Sequence, residues 1–238
     1  MDGGADDAQL PPFWRLLNEA AAVVPLGLSP LREAVDCVGE GKGWPVMVLP
    51  GFTTDDLSTA LLRRSLDRAG FHAHGWDQGF NLGLRPGLLE ALEARIAAIA
   101  GQEGRKVILL GWSLGGIFAR ALAHRIPDLV AQVVTLGSPF SGNRHSNRAW
   151  KLYNLINDHT VDEIPEDPEF VSKPPVPTIA VWSAHDGIVS KRAARGLPEE
   201  SDLAVELDVT HFGYGGTADG VRQVVELLAA NLPKDPIR

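Results

Sequence analysis

Four consecutive apolar residues, Val107 to Leu110, run into Gly-Trp-Ser-Leu-Gly-Gly and then into a pattern that suits a helix, ending near Arg125. A stretch that is apolar on both faces has to be covered on both sides, as the central strand of a parallel sheet is. The glycines allow a turn in which side chains would collide. The spacing therefore predicts a buried strand, a sharp turn and a helix, with Ser113 at the turn. A serine there is either a nucleophile held up at the strand exit or a small residue in a tight connection.

The same rhythm extends along the chain. Strands are expected at Pro45 to Phe52, Phe71 to Trp76, Lys106 to Trp112, Ala131 to Ser138, Pro177 to Ala184 and Leu203 to Val209. Helical patterns fall between and after them, at Leu57 to Ala69, Gly87 to Ala100, Ser113 to Arg125 and Ala218 to Asn231. Strands alternating with helices through right-handed crossovers give a doubly wound, mostly parallel α/β sheet, here of about six strands. Ligands of such sheets bind beyond the carboxyl ends of the strands. With 238 residues the chain can bury the core of one large domain spanning 1–238.

Two segments stand outside the rhythm. Residues 1–43 form an N-terminal extension in which Phe13 to Val24 reads as an amphipathic helix. It lacks the Lys/Arg-rich polar face of a lipid anchor, so it is expected to dock on the domain's own surface. Residues 139–177 make a long connection with a helical pattern near Asn147 to Asn157 and an acidic, proline-rich remainder. A connection of that length is expected to be a lid-like insertion over the strand ends.

A formal net charge of −8 without a basic run argues against nucleic acid as a partner. The acidic start does not resemble a secretory leader, and no apolar run is long enough for a transmembrane segment. These features lead to a cytoplasmic expectation. The single cysteine, Cys37, excludes an internal disulfide and sits in no motif, so it is expected to be a spectator.

Three expected strand exits carry the residue types of acyl transfer. Ser113 follows the third strand, Asp186 follows the fifth in "SAHDGIVS", and His211 follows the last in "THFGYGG". In that arrangement His211 would take the serine proton and return it to the leaving group. Asp186 would accept the other imidazole N–H, fixing the tautomer. A histidine base implies activity that falls as pH drops below about 6 to 7. Asp208 is the rival acid, yet it is read as lying within the last strand beside His211. His124, His145 and His159 have no such setting and are read as structural or solvated. His72 and His74 alternate on one strand face without a third metal ligand of fitting spacing, so no metal or other cofactor is expected. An oxyanion would find backbone N–H donors at Leu114, at the helix N-terminus, and at Phe52, after the first strand in "VLPGFTTDD".

With these motifs the chain resembles the α/β-hydrolase superfamily from Trp44 to its end, most of all bacterial lipases and esterases. "GWSLGGIFARALAHRIPDLVAQVVTLGSPF" is similar to their nucleophile elbow, following helix and next strand, and the order Ser, Asp, His is theirs. "PGF" stands where such lipases carry His-Gly-Phe; the resemblance implies an oxyanion donor at Phe52, which in the family often accompanies medium or long acyl chains. Pro50 departs from the usual histidine, and no antiparallel strand pair precedes Trp44. Phe52, Trp112, Phe140, Phe212 and Tyr214 flank the expected site positions, and the first four are assigned to an apolar acyl pocket.

The function so implied is a serine hydrolase, esterase- or lipase-like, acting on small-molecule or lipid esters through an acyl-enzyme. The alternatives are a thioesterase, amidase or acyltransferase with the same triad, or a non-catalytic ligand-binding protein of this fold.

Overall fold

The computed structural model describes residues 11–142 and 172–234. In chain order the elements are α1 (Phe13–Gly27), β1 (Pro45–Leu49), α2 (Ala60–Arg68), β2 (His72–Gly75), α3 (Leu88–Glu103), β3 (Val107–Trp112), α4 (Leu114–Arg125) and β4 (Val130–Leu136). After the undescribed interval come β5 (Thr178–Trp182), α5 (Lys191–Arg195), β6 (Leu203–Glu206), α6 (Gly213–Gly216) and α7 (Ala218–Ala230). Single 3-10 turns sit at Ser29–Leu31 and Pro198–Glu200.

The six strands form one sheet in the order β2-β1-β3-β4-β5-β6, and every neighbouring pair is parallel. Each residue of β1, β3 and β4 is buried, whereas the edge strands β2 and β6 are largely exposed or half-buried. Alternation along the central strands divides their side chains between two layers. Val46, Val48, Ile108 and Leu110 join Leu61 and Leu66 of α2 and Val221 and Val225 of α7 on one face. Met47, Leu49, Val107 and Leu109 join Leu92 and Ile96 of α3 and Phe118 and Leu122 of α4 on the other.

The first and third strands both leave the sheet at its topological switch point. From β1 the chain crosses to β2 on one side, then returns past β1 to β3 on the other. That places the exits of β1 and β3 side by side, where open α/β sheets leave a crevice.

The turn into α4 needs glycine because backbones touch there. A Cβ on Gly115 would lie 2.3 Å from the Leu49 carbonyl oxygen and 2.7 Å from that of Pro50. Neither backbone atom can rotate away. Gly115→Ala is expected to destabilise the protein by about 3 kcal/mol, lowering Tm by roughly 6–12 °C. Gly101, inside α3 with nothing within 4 Å of its would-be Cβ, is the contrasting control. Gly101→Ala should raise stability by about 0.5–1 kcal/mol through helix propensity. Thermal melts of the two variants check both signs.

The N-terminal helix docks on the domain. Glu19, Ala22 and Leu26 are buried, while Trp14, Val23 and Val24 remain exposed. Of the expected insertion, residues 143–171 lie outside the described residues, and with them the helical pattern near Asn147 to Asn157 and both His145 and His159. No helix among the described residues is long and apolar enough to cross a membrane.

Candidate functional site

Ser113 connects β3 to α4 with φ 52° and ψ −120°. A non-glycine residue in that region costs on the order of 1–3 kcal/mol and persists only where its surroundings fix it. The fixing bonds are the Ser113 N–H to the Leu136 carbonyl, 2.8 Å, and the Gly116 N–H to the Ser113 carbonyl, 3.0 Å. Ser113 is buried to 8% exposure. Leu114 is the first residue of α4, so its N–H is among those that helical bonding leaves over.

Asp186 and His211 meet from two different strand exits. The Asp186 Oδ2 lies 2.7 Å from His211 Nδ1, and both side chains are almost wholly buried. The other oxygen, Oδ1, accepts the N–H groups of Ile188 and Val189 at 2.8 and 2.7 Å. The carboxylate is thereby aimed by its own loop. Ser183 links that loop to the next, its hydroxyl donating to the Val209 carbonyl at 2.6 Å and accepting the His185 N–H at 2.9 Å. Gly137, at the end of β4, lies flat against the pair: a Cβ there would come within 3.0 Å of Asp186 Oδ2 and 3.2 Å of His211 Nδ1.

The serine turn is joined to the histidine through Trp112. Its indole N–H donates to the His211 carbonyl at 3.1 Å. The Trp112 and His211 rings are 5.8 Å apart, and Phe212 stands edge-on to both at 6.0 and 5.7 Å. The loop after β1 closes on the same place, since a Cβ on Gly51 would be 3.3 Å from the Trp112 ring and 3.4 Å from Ser113 Cβ. Phe52 follows Gly51 in that loop and is half-buried, as is Phe212.

Burial disfavours a charged His211, but the Asp186 carboxylate, its hydrogen bond and the charge of Glu19 together outweigh it, and His211 is held above the ordinary histidine value. Tyr214 is fully buried beside the pair, and its phenol is pushed well up, first by burial and then by Asp186 and Glu19.

Other residues take different places. Asp208 lies beyond the end of β6 rather than within it, is largely exposed, and stands 3.4 Å from His185. Pairing of β6 with β5 stops at Glu206, and Asp208 faces outward between Leu207 and Val209, which pack against the core. Phe140 is buried with the Arg120 guanidinium 4.1 Å above its ring, packed among protein groups. His72 and His74 both bond Glu103 of α3, at 2.7 and 3.1 Å. His124 lies 3.2 Å from the Ser172 carbonyl. Burial pushes the Cys37 thiol up, and Glu226 adds to the rise, which keeps a thiol protonated and unreactive.

Two supporting residues had no sequence signal. Asn81 is fully buried and pins the loop after β1, its side-chain Nδ2 donating to the Pro50 carbonyl at 2.8 Å and its backbone carbonyl accepting the Thr53 N–H at 2.7 Å. Glu19 of α1 is the second, buried to 1% exposure.

Comparisons with known proteins agree with this architecture. A family model described as the alpha/beta hydrolase fold matches residues 101–171. No curated protein matches the chain. Among solved structures, the chain is similar to EstE1, a thermostable carboxylesterase cloned from a metagenomic library, with TM-score 0.59 and 14% identity over 91% of this chain and 94% of that one. It is similar also to an esterase of Pyrobaculum calidifontis, with TM-score 0.58 and 15% identity over 91% and 90% of the two chains. A monoacylglycerol lipase of Paleococcus ferrophilus gives TM-score 0.55 and 18% identity over 82% and 96%.

Proposed function

We propose that this chain, which has the α/β-hydrolase fold, is a serine hydrolase of carboxylic esters working through an acyl-enzyme. The observation that carries the reading is the buried Asp186–His211 pair at 2.7 Å, bonded through Trp112 to the strained turn that holds Ser113.

In the first half-reaction Ser113 Oγ attacks the ester carbonyl carbon while its proton passes to His211 Nε2. The tetrahedral oxyanion lies against the N–H groups of Leu114 and Phe52. Its collapse breaks the bond to the alkoxide, which leaves as the alcohol with the proton returned by His211. Water then repeats the sequence on the acyl-serine, releasing the acid and restoring the serine. Asp186 holds the imidazole tautomer that can accept at Nε2 and stabilises the imidazolium between steps. The partly exposed faces of Phe52 and Phe212 offer the apolar surface for the acyl chain.

The reading is supported by the esterases and lipases among structures of the same fold. Nitrophenyl esters of increasing chain length test it, with a fluorophosphonate probe alongside. Turnover with labelling is the expected result; neither, in a folded protein, would rule out the hydrolase.

The raised His211 value sets the pH dependence. A base must be neutral to act, and a value above the ordinary one keeps it protonated to higher pH. The acid limb of kcat/KM is therefore expected to inflect above about 6.5, with activity lost as pH falls through it. A pH–rate profile of the free enzyme measures the inflection.

A further inference from the structure

One buried carboxylate outside the triad touches both catalytic loops. Glu19 Oε1 accepts the N–H of His211 at 2.7 Å and that of Gly187 at 2.8 Å, and Oε2 accepts the N–H of Phe212 at 3.0 Å. Gly187 is the neighbour of Asp186, so a single side chain of α1 fastens the backbone of the acid loop to the backbone of the histidine. We propose that Glu19 is a positioning residue for the reaction, through which the N-terminal helix sets the relative placement of Asp186 and His211; this rests on the hydrolase reading above.

Three observations carry it. First, a buried carboxylate loses several kcal/mol of hydration, and an apolar residue would cover the surface without that loss. Charge-assisted bonds to backbone N–H groups offset the loss, and here all three donors belong to the two loops that bring Asp186 and His211 together. Second, the approach is built in: a Cβ on Gly187 would lie 2.7 Å from the Arg15 carbonyl oxygen and 3.0 Å from Glu19 Cγ. The same helix meets Gly216, where a Cβ would lie 3.0 Å from the Ala22 carbonyl oxygen. Third, His211 has Asp186 at its Nδ1 and Glu19 at its backbone N–H, with the Tyr214 phenol of α6 packed beside the pair and Glu206, at the end of β6, adding its charge at that phenol. Glu19 therefore favours the imidazolium that forms during attack, as well as fixing the ring's backbone.

Glu19→Gln keeps the size and one acceptor but removes the charge and one of the acceptor sites. Glu19→Asp keeps the charge and shortens the reach. Both would be compared with wild type by circular dichroism, by kcat and KM on nitrophenyl butyrate, by the pH–rate profile, and by NMR titration of the His211 imidazole. In folded Glu19→Gln, kcat is expected to fall about 10- to 100-fold with KM nearly unchanged. The acid limb and the His211 titration should both move to lower pH by about half a unit or more. Glu19→Asp should recover the position of the limb but not the full kcat. Wild-type kcat and an unmoved His211 titration in folded Glu19→Gln would overturn the proposal. So would loss of the folded state in both variants, which would make the carboxylate a support of the fold. Failure of wild type to turn over or label would instead count against the hydrolase reading. The NMR titration, which needs no turnover, would still decide whether Glu19 acts on His211.

Discussion

Ser113→Ala is expected to lower kcat on nitrophenyl esters about a million-fold while leaving the thermal melt within about 2 °C of wild type. The serine oxygen contributes little to the fold. Its backbone makes the bonds that secure the turn, and the side chain sits at the exit of β3 rather than in either hydrophobic layer. Removal of the oxygen leaves Asp186, His211 and the N–H donors in place, so a small residual rate over water is part of the expectation. Steady-state kinetics beside a melting curve would separate this outcome from unfolding. A variant that retains a tenth or more of the wild-type rate would mean that the nucleophile is elsewhere.

Asp186→Asn should lower kcat by about ten-thousand-fold, and the hydrogen bonds say why. The Ile188 and Val189 N–H groups both donate to Oδ1 and will select the amide oxygen for that position. The amide NH2 is then turned toward His211 Nδ1, which must accept rather than donate. The imidazole proton moves to Nε2, the atom that has to take the proton of Ser113. The loop stays tied and the base is lost. A folded Asp186→Asn variant with kcat within tenfold of wild type would instead assign the acid to another carboxylate, Asp208 being the one considered from sequence.

The central strands were legible because β1, β3 and β4 are buried on both faces and are dominated by apolar residues, with only Gln132 and Thr135 of β4 interrupting the pattern. The ends were less so: the apolar pattern persists to Val209, whereas pairing with β5 stops at Trp182 opposite Glu206. That difference removes Asp208 from the strand. The short helices α5 and α6 span too few residues for a helical period to show. Ser113, Asp186 and His211 could be picked out because each follows a strand and has a local pattern around it.

Glu19 and Asn81 had no such pattern. A glutamate on an amphipathic helix is ordinarily solvated, and an asparagine in the glycine-flanked stretch Gly79-Phe80-Asn81-Leu82-Gly83 reads as a turn residue. Their partners are backbone groups distant in sequence, Gly187 and His211 for Glu19 and Pro50 for Asn81. Only the assembled chain brings those groups together. Docking of the N-terminal helix was expected from its composition, but the surface it covers was not, because that surface is assembled from the short helix α6 and the backbones of the loops carrying Asp186 and His211.

The most direct measurement is the site of covalent capture. Wild-type protein would be treated with a fluorophosphonate, digested, and the adduct located by tandem mass spectrometry, with Ser113→Ala and Asp186→Asn treated in parallel. The account predicts one stoichiometric adduct on Ser113, none in Ser113→Ala, and much slower formation in Asp186→Asn. An unlabelled Ser113 in folded, wild-type protein, or an adduct confined to another residue, would contradict it.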